Sequence, residues 1–207
     1  YILSTLGMSG SWRVSDKKII EKHTHFQLTC RNNAGEKRYI AYVDPRRFGN
    51  IYLFSKPEMI EYMKRLGVDV SSKKFTSKVL IQLCQQFPAK ELKPFLLDQK
   101  YLSGIGNYMA SEICARAGIL PNRLLRDLST INCQQLVKAT KSVLNQAIKN
   151  NGTTFAGGYT DATGSKGEGV KNLVVFYQDL CGLCKKSKVI KKSQKGRGTY
   201  FCPKCQS

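Results

Sequence analysis

Acidic residues are scarce in this chain. Only 14 Asp and Glu stand against 34 Lys and Arg, a formal charge of +20 over 207 residues. Such an excess repels itself in a compact state unless a polyanion relieves it, which makes nucleic acid the leading partner class. An anionic membrane surface is the weaker alternative, because no basic amphipathic helix gathers the charge; acidic proteins are a third class. Long apolar runs are missing too. Nothing approaches the ~18 residues that span a bilayer, and no basic start leads into an apolar stretch, so no secretory signal is legible. There is no strand–helix–strand frame and no internal repeat. No initiating Met is present either. Tyr1-Ile2-Leu3 reads as the middle of a strand, and a fragment or a processed chain is expected.

What is present is enough for a folded core, at 42% hydrophobic residues. The first 55 or so residues read as β-rich. Phe26, Leu28 and Cys30 alternate with polar residues, Asn32-Asn33-Ala34-Gly35 supplies a turn, and Tyr39–Val43 is the return strand. Ile51–Phe54 is a further short strand. The middle is helical. Ser55-Lys56-Pro57-Glu58 has the capping-box form, with Gly67 expected to close that helix. Val79, Leu80, Leu83, Cys84 and Phe87 form a helical stripe that Pro88 interrupts. A helix is predicted over 107–117 with Gly118 as its stop, and another from a Ser129 cap to Asn151-Gly152. Residues 156–172, rich in Gly, Thr and Lys, read as a mobile loop. The class is α+β.

Eight cysteines are present. Cys30, Cys84, Cys114 and Cys133 are isolated within strand- or helix-like patterns and read as small hydrophobes. Cys181-x-x-Cys184 and Cys202-x-x-Cys205 are metal arithmetic: each pair closes two corners of a tetrahedral site. The alternatives are a disulfide pair or a redox motif, but a redox C-x-x-C stands singly beside a βαβ pattern. One structural Zn2+ per chain is expected, since four thiolates leave no open position for catalysis, and free thiolates imply a reducing compartment. Between the pairs lie Lys185, Lys186, Lys188, Lys191, Lys192, Lys195 and Arg197. A solvated charged face is the bland reading; a rigid hairpin with seven cations is a better phosphate reader. Gly196-Arg197-Gly198 reads as its tip, with Arg197 at the apex.

Leu102-Ser103-Gly104-Ile105-Gly106-Asn107-Tyr108 places glycines before a helix start, where first-turn N–H groups can cradle a phosphate. A nucleotide cofactor would need a third glycine and a βαβ frame. A clamp on a nucleic-acid phosphate, with Asn107 as donor, is the better reading. Asp44-Pro45-Arg46-Arg47-Phe48-Gly49 is a turn between strands. Phe48 as a wedge and an Arg as a reader would suit a duplex; taken alone, the motif favours Asp44–Arg pairing with Phe48 in the core.

Taken together, these motifs resemble the formamidopyrimidine-DNA glycosylase / endonuclease VIII family, in the order Leu6-Gly7-Met8-Ser9-Gly10, His23-Thr24-His25, Asp44–Gly49, Lys93-Pro94-Phe95-Leu96-Leu97-Asp98-Gln99, Gly104–Asn107, Gly152-Thr153-Thr154 and Gly196–Gln206. The resemblance spans essentially the whole chain. It implies part of an antiparallel β-sandwich over 1–67, a helix–two-turn–helix DNA-binding domain over 68–172 with a lesion loop at 156–172, and a zinc-finger β-hairpin over 173–207. By the same analogy Met8, Arg46 and Phe48 fill the gap left by an extruded base, His23 and Asn107 bind backbone phosphates, and Arg197 holds phosphates beside the lesion and assists a second elimination. The chain also departs from the family. The family's nucleophile, an N-terminal proline amine followed by a glutamate, and a strand lysine are expected to precede Tyr1. Phe87-Pro88-Ala89 stands where a phosphate-binding lysine is common. Asn107-Tyr108 is similar to the endonuclease VIII branch, while Met8-Ser9-Gly10 and Ala110-Ser111-Glu112 are similar to the formamidopyrimidine branch.

The expected function is a bifunctional DNA glycosylase / AP lyase of base-excision repair acting on oxidised bases, with residues 1–207 alone inactive. Its partner would be double-stranded DNA carrying oxidised bases or abasic sites. A monomer without membrane contact is expected, in an intracellular compartment with access to DNA. The rival is a non-enzymatic, zinc-dependent module that binds damaged DNA.

Overall fold

The computed structural model describes residues 1–7, 9–155 and 160–207. By internal contacts the chain falls into two compact units, Tyr1–Glu61 with Asn150–Val170, and Tyr62–Lys149 with Lys171–Ser207.

The first unit carries two antiparallel sheets. β1 (Ile2–Thr5) pairs with β5 (Asn50–Leu53); β2 (Ser11–Ser15), β3 (Thr24–Arg31) and β4 (Lys37–Val43) form a second sheet in the order β2-β4-β3. The β3–β4 hairpin closes on Asn32, whose side-chain oxygen accepts from the N–H groups of Ala34 and Glu36 at 3.0 and 2.9 Å. The alternation read from the sequence places Phe26 beside Trp12, which also meets Tyr42, both edge-on at 6.2 and 5.4 Å between centroids. The Trp12 Nε1–H donates to Ser4 Oγ at 2.9 Å, so a strand of one sheet is hydrogen-bonded to a strand of the other. From the distant piece of this unit, Val14 N–H donates to Ala162 O at 2.8 Å, and Asp161 organises a turn by accepting from Thr163 and Ser165. The loop expected over 156–172 is thus built on named hydrogen bonds over 160–172; residues 156–159 lie outside the described ones.

α1 (Lys56–Met63) starts on the expected capping box: Glu58 Oε2 accepts from the Ser55 N–H and hydroxyl at 2.8 and 2.7 Å. Gly67 does not close this helix, which ends four residues earlier. It serves close approach instead: a Cβ there would fall on the Tyr101 carbonyl. That contact sets up the short parallel pair β6 (Val68–Asp69) and β7 (Leu102–Ser103).

The second unit is helical. α2 (Ser77–Gln86) is capped by Thr76 and stops before Pro88, and α3 (Leu92–Leu97) tolerates Pro94 because first-turn N–H groups need no helical partner. α4 (Asn107–Ala117) ends on Gly118 at φ +72°, and α5 (Thr130–Lys149) is the longest helix described. Leu80, Leu92, Phe95, Leu96, Ile113 and Leu136 are all less than 2% exposed and form its core. β8 (Ile190–Gln194) and β9 (Arg197–Phe201) are the C-terminal hairpin, and β9 packs on α4. The α+β class, with antiparallel sheets, a helical domain and a terminal hairpin, is as the sequence implies. No helix of the described residues is long and apolar enough to cross a membrane.

Candidate nucleic-acid interface and metal centre

Two surfaces shaped by glycines present cations, one in each unit. In the first unit the hub is Asp44, 1% exposed. Its carboxylate accepts from Ser9 Oγ at 2.6 Å and from the N–H groups of Gly49 and Arg46 at 2.8 and 3.3 Å. The Ser9 hydroxyl does most to hold its pKa down, at about 2; burial opposes this and the backbone N–H groups add to it. A Cβ at Gly10 or Gly49 would fall on the Tyr42 hydroxyl, so loops 6–10 and 44–49 can close on each other only as glycine loops. Asp44 is therefore spent on these loops, and Phe48 is not in the core. It is 55% exposed, with the Arg46 guanidinium carbon 4.7 Å from its ring centroid. The reading favoured for this motif in isolation thus fails, because backbone donors satisfy the acid and free the arginine and the ring. His23 stands next to this loop: its backbone is left-handed at φ +73° and its carbonyl accepts from Asp44 N–H at 3.1 Å. Met8 lies outside the described residues.

In the second unit the hub is Lys93, 1% exposed. Its ammonium donates to Asn107 Oδ1 at 2.8 Å, Thr199 Oγ1 at 2.9 Å and Gly198 O at 3.2 Å. One cation thus ties α3 to the start of α4 and to β9. Burial draws its pKa down to about 8, and the charge of Arg197 acts in the same direction. The Asn107 Nδ2 donates to Gly198 O at 3.2 Å, so this side chain is committed to the hairpin. The helix start has no side-chain cap: its cap residue is Gly106, which offers no acceptor to the first-turn N–H groups. Gln99 shapes the approach to it, donating to Ile105 O at 2.9 Å and accepting from Gly104 N–H at 2.9 Å, with Gly104 at φ +98°.

The hairpin tip differs from the expectation. Lys195 and Gly196 are the turn residues, both left-handed at φ +49° and +75°, which is the two-residue turn that matches strand twist. Arg197 is not the apex but the first residue of β9, paired with Gln194. It and the six lysines between the cysteine pairs are all exposed.

Cys181, Cys184, Cys202 and Cys205 converge, with all four Sγ atoms within 4.8 Å of one another. Cys181 to Cys205 and Cys184 to Cys202 are each 3.9 Å. Thiolates ~2.3 Å from a tetrahedral metal lie about 3.8 Å apart, so the set fits an ion of that kind. The backbone N–H groups of Lys186 and Ser187 pull the Cys184 thiol down to about 6. The metal-ligand unit is anchored on α4. Buried Glu112 accepts from the N–H groups of Val174, Val175 and Phe176 at 2.9–3.0 Å. Gln206 joins Cys202 N–H to Ile119 O at 2.7 and 2.8 Å. Sequence reasoning missed Lys93 and Glu112 as hubs. A lone lysine between Leu92 and Phe95-Leu96 was the available signal.

The helix–two-turn–helix profile of formamidopyrimidine-DNA glycosylase matches residues 66–157, and the N-terminal domain profile of the same enzyme matches residues 1–51. Formamidopyrimidine-DNA glycosylase of Klebsiella pneumoniae is 35% identical over 209 aligned residues, which cover 100% of this chain and 75% of that protein. The chain belongs to the formamidopyrimidine-DNA glycosylase family. The enzyme of Ruthia magnifica is 36% identical, over 98% of this chain and 73% of its own length. Among solved structures, Lactococcus lactis Fpg in complex with DNA containing an abasic site superposes with a TM-score of 0.86 at 29% identity, over 100% of this chain and 74% of that one. A mutant of the same protein in complex with Fapy-dG-containing DNA gives the same values. The family is one of DNA-repair glycosylases, and both surfaces described above belong to a DNA-binding glycosylase chain.

Lys93 sets a pH dependence. Its folded-state pKa of about 8 lies below the ordinary 10.5, so between those values the unfolded chain holds the extra proton, and stability rises with pH. Urea unfolding from pH 7 to 10.5 should show the wild type gaining up to roughly 3 kcal/mol relative to Lys93→Met. Parallel curves for the two proteins would show that Lys93 is not desolvated.

Proposed function

We propose that the chain is the DNA-gripping, zinc-bearing part of a bifunctional DNA glycosylase / AP lyase of base-excision repair that acts on oxidised bases, and that the nucleophilic amine comes from outside residues 1–207. The observation that carries this reading is the pairing of two cationic, glycine-shaped surfaces with a four-thiolate centre in a chain of this family. Its partner is double-stranded DNA with oxidised bases or abasic sites, a reading supported by the Lactococcus complexes with DNA containing an abasic site or Fapy-dG; the enzyme acts as a monomer in a reducing, DNA-containing compartment.

In the proposed roles, Phe48 and Arg46, with Met8, enter the gap left by the extruded base. His23 and the Asn107 end of α4 hold phosphates, and Arg197 holds those beside the lesion and assists the second elimination. The proposed functional segments are 1–67, 68–172 and 173–207; by internal contacts residues 150–170 group instead with the first unit and 171–207 with the helical one. An amine attacking C1′ displaces the base and leaves a Schiff base, from which elimination breaks the strand. The described residues offer no good substitute for that amine. Lys93, the lysine drawn toward neutrality, is buried and donates three hydrogen bonds. The Tyr1 nitrogen donates to Phe54 O at 2.8 Å and continues the β1–β5 ladder. Zinc is the proposed metal, chosen by the four-sulfur donor set; when bound it supplies folding energy to the hairpin rather than chemistry.

Borohydride trapping on DNA with an abasic or oxidised-base site tests the enzyme. Residues 1–207 should form no adduct, the chain extended upstream should form one, and Arg197→Ala in the extended chain should slow strand cleavage more than base loss. Trapping by residues 1–207 alone overturns the placement of the amine; an extended chain that never traps favours a binding module. Metal analysis tests the centre. One zinc per chain is expected, and Cys202→Ser should lose the metal and at least tenfold in DNA affinity together. Full affinity in the metal-free variant would disconnect the centre from DNA binding.

A further inference from the structure

Two of the cysteines that read as isolated core residues are brought together in the helical unit. Cys84 lies in the last turn of α2 and Cys133 is the fourth residue of α5. These helices pack on each other, and both cysteines belong to the same core, at 5% and 1% exposed. The two residues line one cavity of about 390 Å³ together with Pro88, Thr130 and Arg126, whose side chain is exposed. A third core cysteine, Cys114, is fully buried and is not among the residues lining that cavity. The neighbours of the pair make the two sulfurs unequal. The interaction between the two thiols raises the Cys84 pKa and lowers that of Cys133; burial acts upward on both. Cys133 also stands in the first turn of a 20-residue helix, its N–H donating to Ser129 O at 3.1 Å, where the positive end of the helix favours a thiolate.

We propose that Cys84 and Cys133 form a peroxide-sensitive dithiol, with Cys133 the attacking sulfur and Cys84 the resolving one, which closes to a disulfide joining α2 to α5. The oxidant is a hydroperoxide small enough for the cavity. The Cys133 sulfur attacks one peroxide oxygen, the O–O bond breaks, and the departing hydroxide takes a proton to become water; Cys133 becomes a sulfenic acid. The Cys84 sulfur then attacks the Cys133 sulfur. The S–S bond forms, the S–O bond breaks, and the leaving hydroxide takes the Cys84 proton as a second water. Two thiols lose two electrons and one peroxide gains them. The product ties together two helices whose cysteines are far apart in sequence, a long closed loop of the kind that most restricts an unfolded chain.

The test uses the full chain with zinc bound, treated with equimolar hydrogen peroxide, then denatured, alkylated with N-ethylmaleimide and mapped by mass spectrometry. The expected product is a Cys84–Cys133 linked peptide that dithiothreitol reverses, with Cys114 alkylated throughout. Oxidation confined to the four metal-ligand cysteines, or separate over-oxidation of Cys84 and Cys133 without linkage, would overturn the proposal. Single variants check the assignment: dimedone should label Cys133 in Cys84→Ala at least fivefold more than Cys84 in Cys133→Ala. Equal or reversed labelling would overturn the order of attack.

Discussion

A buried ammonium is the constraint on which the second unit depends. Taking a lysine head out of water costs several kcal/mol unless its protons are satisfied. Lys93 meets that demand with three neutral oxygens, from Asn107, Gly198 and Thr199. Each comes from an element that DNA binding would need in a fixed place: the start of α4 and the strand that carries Arg197. Glu112 does the complementary work with opposite charge, gathering three backbone N–H groups on the approach to the cysteine centre. The helices and the hairpin therefore behave as one body, and a metal at the four thiolates would stiffen an element already anchored at both ends. Asp44 repeats the device in the first unit, where a buried carboxylate closes two glycine loops and leaves Arg46 and Phe48 outside.

These hubs share a property. Each is a charged side chain that faces inward and is answered mainly by neutral dipoles, Glu112 having Arg116 beside it as well at 3.8 Å, so the cations left at the surface keep their charge for a polyanion. With +20 on the chain, spending Arg46 or Arg197 on internal ion pairs would remove the groups best suited to phosphates and base edges. Satisfying Asp44 with Ser9 and backbone N–H groups avoids that loss.

The sequence made the local signals legible and hid the long-range ones. The 107–117 helix, its Gly118 stop, the Ser55–Glu58 capping box and the cysteine pairs are written within a few residues of one another, and each is found as read. Gly67 was misread because a glycine required for close approach to Tyr101 looks the same in sequence as a helix stop. Arg197 was displaced from the apex because Lys195 takes a left-handed conformation that lysine seldom adopts. Taken alone, the Asp44–Gly49 motif reads Phe48 inward because the acid looks like an arginine partner; the acid is filled instead by Ser9 from another loop and by the N–H groups of Arg46 and Gly49. Lys93 and the Cys84–Cys133 pair depend on which elements meet in space, which no spacing along the chain encodes.

Lys93 fixes the strand that carries Arg197, the proposed phosphate contact, and a double-mutant cycle on DNA affinity with Lys93→Met and Arg197→Ala tests most directly whether it acts as a strut for that contact. If the strut positions the arginine, each change alone weakens binding several-fold and the double variant binds about as well as the weaker single, because an arginine that is no longer held in place has little left to lose. Effects that multiply in full would show that the two residues act independently and would contradict the account.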